Sequence, residues 1–159
     1  MLLIFCAEME EAKHIRCNDA FTIVTGVGYS NVMKALPRFN LKSDDKIINI
    51  GYAGSNKYPV GSVVGVNKSR KLVQTYIKER GINLEPLLPA DVCYTADNFI
   101  NKKQKNVIPL VDMELYYLAF IFPHLQSIKI VSDNFNLKEH RQADFKESWE
   151  QVNEILKSV

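Results

Sequence analysis

The chain contains few residues of the kinds that bind metals or form disulfides. Its 159 residues include only three cysteines and three histidines. The cysteines show no CxxC spacing and, being odd in number, cannot all pair, and no two histidines are spaced as metal ligands. These shortages argue against a bound metal and a disulfide scaffold, and they favour a reducing, cytoplasmic setting. The cysteines are Cys6, Cys17 and Cys93.

The chain also lacks a long hydrophobic run and a strongly basic block. Its apolar first segment, residues 1–7, is shorter than the core of a signal peptide, and no run approaches the roughly 18 apolar residues of a membrane span. The 20 basic and 18 acidic side chains nearly balance. The short KSRK and NKKQK patches are not interleaved with a regular aromatic array. We therefore expect neither a membrane nor a nucleic-acid partner.

Nucleotide-cofactor motifs are absent as well. Two glycine-rich turns, at 25–31 and 49–56, follow apolar runs. Their glycines permit positive φ and the close approach of a ligand to backbone N–H groups. Neither turn is a GxGxxG or a Walker sequence, so no dinucleotide or ATP cofactor is expected. Taken singly, each could be an ordinary tight turn.

Seven runs have the length and composition of β-strands, and several are continuously apolar. Continuous apolar runs are typical of strands that are covered on both faces. The sequence thus predicts one α/β domain over residues 1–159, a three-layer sandwich with a mixed, largely parallel central sheet flanked by helices. Segment 67–90 fits either a strand or a helix. The predicted strands are 2–7, 21–26, 46–51, 61–66, 91–95, 106–111 and 127–133, and the predicted helices are 8–16, 29–38, 112–122 and 143–158.

Polar side chains gather where the predicted strands end. Glu8, Glu10 and Glu11 follow the first strand, and the two glycine turns follow the second and third. Asp97 follows the strand at 91–95, and Asp133 ends the last strand. Ligands of open α/β sheets bind in the crevice at the carboxyl ends of the strands. We therefore expect these clusters to contribute to one site.

Glu114 lies in the segment VDMELYYLAF, residues 111–120, between an apolar run and an apolar helical stretch. This position combines a strand's carboxyl end with a helix amino-terminus. An acid there can be an ordinary first-turn residue, because the helix macrodipole favours negative charge. Its occurrence together with the other polar clusters makes Glu114 a candidate for the centre of the site.

Six runs occur in an order that is informative as a set. They are CAEMEEA, TGVGYSNV, NIGYAGSN followed by VGSVV, TADNFIN, VDMELYYLAF and VSD, and they span residues 6–133. In this order they resemble the nucleoside phosphorylase and nucleosidase superfamily, and within it most of all the methylthioadenosine/S-adenosylhomocysteine nucleosidases. The resemblance implies a mixed sheet flanked by helices, usually a homodimer, and cleavage of the N-glycosidic bond of a small-molecule purine nucleoside.

The resemblance also implies a role for each matching carboxylate. Asp133 would protonate or hydrogen-bond the purine N7 as the base departs. Glu114 would bind the ribose hydroxyls beside the backbone of Met113, through bonds that strengthen as positive charge develops on the sugar. Glu11 would orient or deprotonate the attacking water. The glutamates at positions 8 and 10 remain alternatives to Glu11, because AEMEEA aligns in more than one way.

Substrate contacts follow from the same resemblance. The ring of Phe99 matches the aromatic that stacks on the purine, and Ile100 matches the neighbour whose backbone reads the base edge. Met9, Phe135 and Phe145 are candidates to line the pocket for the 5′ substituent, and the spacing does not choose among them. The remaining substrate-binding candidates are Gly28, Ala53, Gly54 and Ser132.

Three features depart from the family's pattern. Tyr52 replaces a small hydroxyl residue and is bulky enough to intrude on the water or sugar subsite. Lys129 stands where the family has an arginine that pairs with the hydroxyl-binding glutamate, and lysine lacks the planar fork of arginine. The chain is also shorter than family members usually are, within 67–92 and between Phe99 and Glu114.

Three functions remain open. The first is hydrolysis of a purine nucleoside such as 5′-methylthioadenosine or S-adenosylhomocysteine, with release of adenine. The second is a purine nucleoside phosphorylase, which needs an anion site built from arginines and N–H groups; the acidic cluster after the first strand would repel phosphate. The third is a shortened nucleoside-binding homologue with little or no catalysis. The departures at Tyr52 and Lys129 and the missing segments are the basis of this hypothesis.

Overall fold

The structure is a computed structural model. Residues 73–80 of segment 67–90, which fits either a strand or a helix, lie outside the residues that it describes. Those residues are 1–42, 44–72, 81–136, 138 and 143–159.

Eight strands and four α-helices make up the described chain. The strands are β1 Leu2–Cys6, β2 Ala20–Val24, β3 Lys46–Gly54, β4 Val63–Lys71, β5 Ile82–Asn83, β6 Ala90–Thr95, β7 Leu110–Asp112 and β8 Gln126–Asp133. The helices are α1 Met9–Ala12, α2 Tyr29–Ala35, α3 Leu115–Ile121 and α4 Lys146–Leu156, and a 3₁₀ turn, Leu36–Arg38, follows α2.

The strands form one mixed sheet, part of which closes on itself. β2, β1, β3 and β8 lie side by side and parallel. β8 then pairs antiparallel with β4, β4 pairs parallel with β6, and β6 pairs parallel with β7. Gly54 of β3 lies opposite Val111 of β7 and closes the ring. The α/β class predicted from the sequence is therefore confirmed, but the largely parallel three-layer sandwich is corrected to a mixed sheet that contains a closed five-stranded barrel.

Closure of the barrel depends on an irregularity in β3. The register between β3 and β8 shifts between Ala53 and Gly54. A bulge of this kind bends a strand and increases its twist, which lets a sheet curl towards closure. After the shift Gly54 pairs with Asp133 of β8 and with Val111 of β7, so that residues from all three strands meet at the same end of the barrel.

The sixth predicted strand is shorter than its apolar composition suggests. Only Leu110–Asp112 is a strand, whereas the prediction covered 106–111. Pro109 has no N–H to donate to a ladder. The N–H of Ile108 donates to the side chain of Asn56 at 2.6 Å instead of to a neighbouring strand. The strand therefore begins only after the proline.

The first predicted helix is also shorter than expected. The prediction covered 8–16, but α1 ends at Ala12. The chain then turns towards α4, where the side chain of Asn153 accepts a hydrogen bond from Arg16 N–H at 2.8 Å and donates one to the carbonyl of His14 at 2.9 Å. These tertiary bonds satisfy backbone groups that a longer helix would have paired internally.

Apolar side chains cover both faces of the sheet. Alternate residues of β1 point to opposite sides: Leu3 and Phe5 pack with residues of α2 and α3, and Ile4 packs with Trp149 and other residues of α4. This is the burial that the continuous apolar runs predicted. None of the described helices has the length and apolar composition needed to cross a lipid bilayer.

Candidate active site

A cavity of about 470 Å³ opens where several strands end. Its wall includes residues that end or follow β1, β3, β6, β7 and β8. Most of the residues singled out from the sequence line it: Glu11, Ala53, Gly54, Phe99, Ile100, Met113, Glu114, Ser132 and Asp133. Segments that are far apart in the chain thus meet around one space of a size that suits a small ligand.

Glu11 contributes a buried carboxylate to this cavity. Only 3% of the residue is exposed. Its Oε2 accepts hydrogen bonds from the N–H groups of Ala7 at 2.8 Å and Glu8 at 3.0 Å, and its Oε1 accepts one from the N–H of Tyr52 at 2.9 Å. Burial raises the pKa of Glu11 above its ordinary value, although these N–H donors and the Lys129 charge oppose the rise. A fixed carboxylate with a raised pKa is suited to accept a proton.

The other two glutamates of the same segment have different surroundings. Glu8 lines the cavity but is exposed. Glu10 does not line it, and its exposed carboxylate forms an ion pair with Lys13. Of the three, Glu11 alone combines burial with fixed orientation, and the geometry favours it over its neighbours as the base.

Glu114 lies directly before α3, at the helix amino-terminus. It is 7% exposed, and its Oε1 accepts a hydrogen bond from the N–H of Gly28 at 2.8 Å. Gly28 has φ +82°, a conformation that glycine adopts without strain, and this conformation directs its N–H at Glu114. Gly28 therefore supports the site from the glycine turn without lining the cavity.

The pKa of Glu114 is raised to about 7. Burial is the largest cause, and the negative charge of Asp112 adds to it. The ammonium of Lys129 and the N–H of Gly28 act in the opposite direction, and the charge of Glu11 raises the pKa slightly further. The carboxyl group can therefore change its protonation state near neutral pH.

Asp112 and Lys129 form a buried ion pair beside Glu114. Lys129 Nζ lies 2.7 Å from Asp112 Oδ2, and the two side chains are 1% and 0% exposed. Asp112 was not among the site residues predicted from the sequence, although it belongs to the segment VDMELYYLAF. The arginine of the family pairs with the hydroxyl-binding glutamate, whereas the described partner of Lys129, which stands at that position, is Asp112.

Asp133 ends β8 with its carboxylate held in a local turn. It is 1% exposed. Its Oδ1 accepts a hydrogen bond from Phe135 N–H at 2.9 Å, and its Oδ2 accepts one from the hydroxyl of Ser132 at 2.7 Å. Phe135 has φ +65°, which is unusual for a residue with a side chain and often marks a functional constraint. A Cβ on Gly54 would lie only 3.1 Å from Asp133 Oδ1, so the glycine makes room for the acid.

Phe99 and Ile100 line the cavity from the loop that follows β6. Phe99 is 44% exposed, whereas Ile100 is partly buried against Phe135 and Val111. An exposed aromatic ring at the edge of a cavity can stack on a planar ligand. The preceding Asp97 is tied by Lys71 and Tyr117, which hold the start of this loop.

Tyr52 lines the cavity, but its ring is directed towards α4. Its hydroxyl accepts a hydrogen bond from Trp149 Nε1 at 2.9 Å, and its ring centroid lies 4.9 Å from that of Phe145. A second cavity of about 300 Å³, lined by Tyr52, Phe145 and Trp149 among others, lies on that side. From the sequence we expected the Tyr52 side chain to intrude on the sugar or water subsite. In the structure part of this side chain packs against α4 instead.

The candidates for the pocket of a 5′ substituent are separated from one another. Phe135 lines the candidate active cavity. Phe145 lines the second cavity, and Met9 on α1 is 71% exposed and lines neither. Among the described residues, no group of three or more histidine, cysteine, aspartate or glutamate side chains is arranged to hold a metal ion.

Comparisons with known proteins agree on the fold. A scan against protein-family models found no match, and a search of curated proteins found no matching sequence. Among solved structures, the 5′-methylthioadenosine/S-adenosylhomocysteine nucleosidase (MTAN) of Chlamydia trachomatis is similar to this chain. The TM-score is 0.80 at 20% identity, over 99% of this chain and 97% of that one.

Two structures from Helicobacter pylori are similar at 14% identity. The 5′-methylthioadenosine/S-adenosylhomocysteine nucleosidase, solved with butyl-thio-DADMe-Immucillin-A, has a TM-score of 0.74 over 99% of this chain and 96% of that one. The futalosine hydrolase has a TM-score of 0.74 over 99% of this chain and 95% of that one. The expectation drawn from the six sequence runs is confirmed at the level of architecture: this chain has the fold of these nucleosidase and futalosine hydrolase structures.

Proposed function

We propose that the protein hydrolyses the N-glycosidic bond of a purine nucleoside, such as 5′-methylthioadenosine or S-adenosylhomocysteine, and releases adenine. The observation that carries this proposal is the convergence of Glu11, Glu114 and Asp133 on one cavity, with all three carboxyl groups at least nine-tenths buried. Glycosidic cleavage passes through an oxocarbenium-like state. Carboxylates on different sides of the sugar can stabilise its positive charge and activate the water that attacks it.

Each carboxyl group takes one part of the reaction. Asp133 gives its proton to N7 of the purine, which leaves with the electrons of the C–N bond. Glu114 accepts hydrogen bonds from the ribose hydroxyls and stabilises the positive charge that develops on the sugar. Glu11 takes a proton from water as the water oxygen bonds to the anomeric carbon. Water adds across the bond, and the products are the free base and the free sugar.

The environments of the three groups support these roles. Glu11 has a raised pKa, which makes it a better base for water. Asp133 is shielded from solvent, and hydrogen bonds from Ser132 and Phe135 fix the position of its carboxyl group beside the cavity. Phe99 supplies an exposed aromatic surface at the cavity edge for stacking on a purine.

Charge disfavours the phosphorylase alternative. The charged side chains among the described residues that line the cavity are Glu8, Glu11, Asp112, Glu114 and Asp133, all of them acids. A phosphate would need cationic or N–H donors at this point. Lys129, the nearest described cation of the network, is already bound to Asp112.

One observation favours the third alternative, a binding protein with little catalysis. The family's arginine is replaced by a lysine whose ammonium is bonded to Asp112, so it is not presented to the cavity as a free donor. Binding of adenine or methylthioadenosine without turnover would support this alternative. Ligand-induced rise of the melting temperature detects such binding independently of catalysis.

The test is release of free base from methylthioadenosine, S-adenosylhomocysteine, adenosine, inosine and futalosine, with and without phosphate. We expect phosphate-independent release of adenine. Asp133→Asn and Glu11→Gln should each lower kcat/KM by roughly 10²- to 10⁴-fold, the usual worth of a general acid or base. Glu10→Gln is the matched control, because Glu10 belongs to the same segment but is exposed and does not line the cavity.

Two results would contradict the proposal. Release that requires phosphate would assign the protein to the phosphorylases. Equal loss of activity in Glu10→Gln and Glu11→Gln would show that the segment, rather than the Glu11 carboxyl, is what matters.

A further inference from the structure

Glu114 is surrounded by ionisable groups from four different elements. Asp112 ends β7, Lys129 lies on β8, Glu11 lies on α1 and Cys93, a neutral thiol, lies on β6 beside the Asp112–Lys129 pair. All of these residues, and Glu114 itself, are buried. In such surroundings the position of the single cation decides which carboxylate it neutralises, because charges interact strongly where water is excluded.

The cation is held by Asp112, and Asp112 is itself fixed. Its Oδ2 accepts hydrogen bonds from Lys129 Nζ at 2.7 Å and from the N–H of Leu115 at 2.9 Å. Its Oδ1 accepts one from the hydroxyl of Thr95 at 2.6 Å, and that hydroxyl oxygen also accepts a bond from Tyr116 N–H at 2.9 Å. The network therefore joins the ends of β6 and β7 to the first turn of α3, the helix that Glu114 precedes.

In the described part of the chain, Glu114 has no corresponding cation. Among the ion pairs of the described residues, Lys129 is paired with Asp112 and none includes Glu114. The Oε1 of Glu114 is bound by the N–H of Gly28. An arginine presents a planar fork that can hold two carboxylates in fixed geometry, whereas a lysine carries one compact ammonium. The described hydrogen bond of this ammonium is to Asp112.

We propose that Asp112 is a positioning residue: its carboxylate holds the Lys129 ammonium away from Glu114 and leaves Glu114 available to a hydroxyl group of the substrate. This inference rests on the proposed function, in which Glu114 binds the ribose. Asp112 acts through Lys129 and Glu114, and no contact with the substrate is assigned to it. The raised pKa of Glu114 agrees with this arrangement, since the Asp112 charge is the second cause of the rise after burial.

The first readout is the titration of the Glu114 carboxyl carbon by ¹³C NMR, without substrate and assigned with Glu114→Gln. The expected midpoint in the unsubstituted protein is about 7. Asp112→Asn frees the buried ammonium, whose nearest remaining acids include Glu114. We expect the midpoint to fall by about one pH unit or more, because the Asp112 charge that raises it is removed and the freed ammonium can approach Glu114. An unchanged midpoint would overturn the inference.

The second readout compares two ligands. Methylthioadenosine has ribose hydroxyls and adenine has none. Both proteins carry Glu11→Gln in this comparison, so that the nucleoside is not consumed during calorimetry. In the Asp112→Asn background we expect the affinity for methylthioadenosine to fall roughly tenfold, the scale of one hydrogen bond to a charged group. The affinity for adenine should stay within about twofold. Equal weakening of both ligands would overturn the inference, because it would indicate general damage to the cavity.

The double variant Asp112→Asn/Lys129→Met is the matched control. It removes the freed ammonium, so the Glu114 midpoint and the affinity for methylthioadenosine should recover towards those of the unsubstituted protein. A merely structural role at the start of α3 predicts no recovery, because Asp112 is still absent. If Asp112→Asn alone does not fold, the double variant decides: loss of nucleoside binding there would overturn the inference.

The two hypotheses can fail separately. If no nucleoside is hydrolysed, the proposed function fails, but the carboxyl midpoints of the variants are measured without substrate and still decide whether Asp112 keeps the ammonium from Glu114. If nucleosides are hydrolysed and neither the midpoint nor the ligand selectivity changes in Asp112→Asn, the inference fails while the proposed function stands.

Discussion

Glu114 is a residue whose protonation is set by the fold. Its ordinary pKa of 4.5 is raised to about 7, first by burial and then by the charge of Asp112. The folded protein therefore keeps a proton that the unfolded chain has already lost between these two values. Stability must fall as pH rises through this window, because the unfolded state binds fewer protons there.

Glu114→Gln should remove this dependence on pH. We expect the free energy of unfolding of the variant, relative to the unsubstituted protein, to rise by roughly 3 kcal/mol between about pH 4 and about pH 8. Urea unfolding at both pH values measures this difference. Glu10→Gln is the control, since the pKa of the exposed Glu10 is lowered by a hydrogen bond from Lys13. A difference between Glu114→Gln and the unsubstituted protein that does not change with pH would contradict the prediction.

Gly54 provides a second test at the scale of one residue. A Cβ at this position would lie 3.0 Å from the Phe135 ring and 3.1 Å from Asp133 Oδ1, so Gly54→Ala should displace Asp133. We expect kcat/KM of nucleoside hydrolysis to fall about 10²-fold, because misplacement by about 1 Å can cost that much. In Gly65→Ala the Cβ would meet the carbonyl of Leu88 at 2.8 Å, away from the cavity wall.

The two glycine variants should differ in the property that they change. Gly65→Ala should lower the melting temperature while the folded fraction keeps its kcat/KM. Gly54→Ala should lower kcat/KM in protein that remains folded. If both variants change only the melting temperature, Gly54 has no special relation to the position of Asp133.

Local sequence was enough to predict where Glu114 lies but not what surrounds it. A strand end and a helix start are read from neighbouring residues, and Glu114 lies directly before α3 as expected. The partner of Lys129 depends on which strands meet in three dimensions. β8 pairs directly with β3, and β7 meets β3 only where the barrel closes. The pairing of Lys129 with Asp112 could therefore not be derived from spacing.

At the scale of elements, α4 is joined to the site through one side chain. Trp149 is 3% exposed, packs on the isoleucines of β1, β3 and β8, and donates its indole N–H to the hydroxyl of Tyr52. The N–H of Tyr52 in turn binds Glu11. The helix thus supports the strand segment that orients the candidate base.

Trp149→Phe should keep most of the packing and remove the indole N–H. We expect a loss of about 1–3 kcal/mol in the free energy of unfolding, from the lost ring volume and the hydrogen bond. Tyr52→Phe removes the same hydrogen bond from the other side and leaves the indole N–H without this acceptor. In a double-mutant cycle the two substitutions should be coupled by about 1 kcal/mol. Additive effects, measured by urea unfolding, would show that this bond contributes nothing to stability.

The elements were predicted with unequal success for physical reasons. The apolar stripe of 143–158 predicted α4 because helical spacing is a local signal, and the helix is found at Lys146–Leu156. The two-residue β5 has too little sequence to carry a signal. The α1 segment has helix-forming composition, but hydrogen bonds from Asn153 of α4 replace its continuation. Tertiary contacts therefore decided the cases in which local preference failed.

At the scale of the whole molecule, exposed apolar side chains are concentrated on two neighbouring helices. Tyr29 and Met33 of α2 are 53% and 42% exposed, and Phe120 and Ile121 of α3 are 73% and 38% exposed. The helices are in contact, with the rings of Tyr29 and Tyr117 4.7 Å apart. Large apolar side chains gathered on one surface often mark a protein–protein interface. The family resemblance implies a homodimer, and we expect this surface to form it.

Sedimentation velocity at micromolar concentration should therefore give the mass of two chains. Phe120→Lys should shift the protein to a monomer, because an unpaired charge at the centre of an apolar contact is costly to bury. Val107→Lys is the matched control: Val107 is 70% exposed but lies outside α2 and α3, and its substitution should leave the dimer intact. Because Tyr117 contacts Tyr29 of this surface and bonds to Asp97 of the loop that leads to Phe99, the monomer should also bind nucleoside more weakly. A monomeric unsubstituted protein, or a dimer that Phe120→Lys does not disturb, would assign these helices a different role.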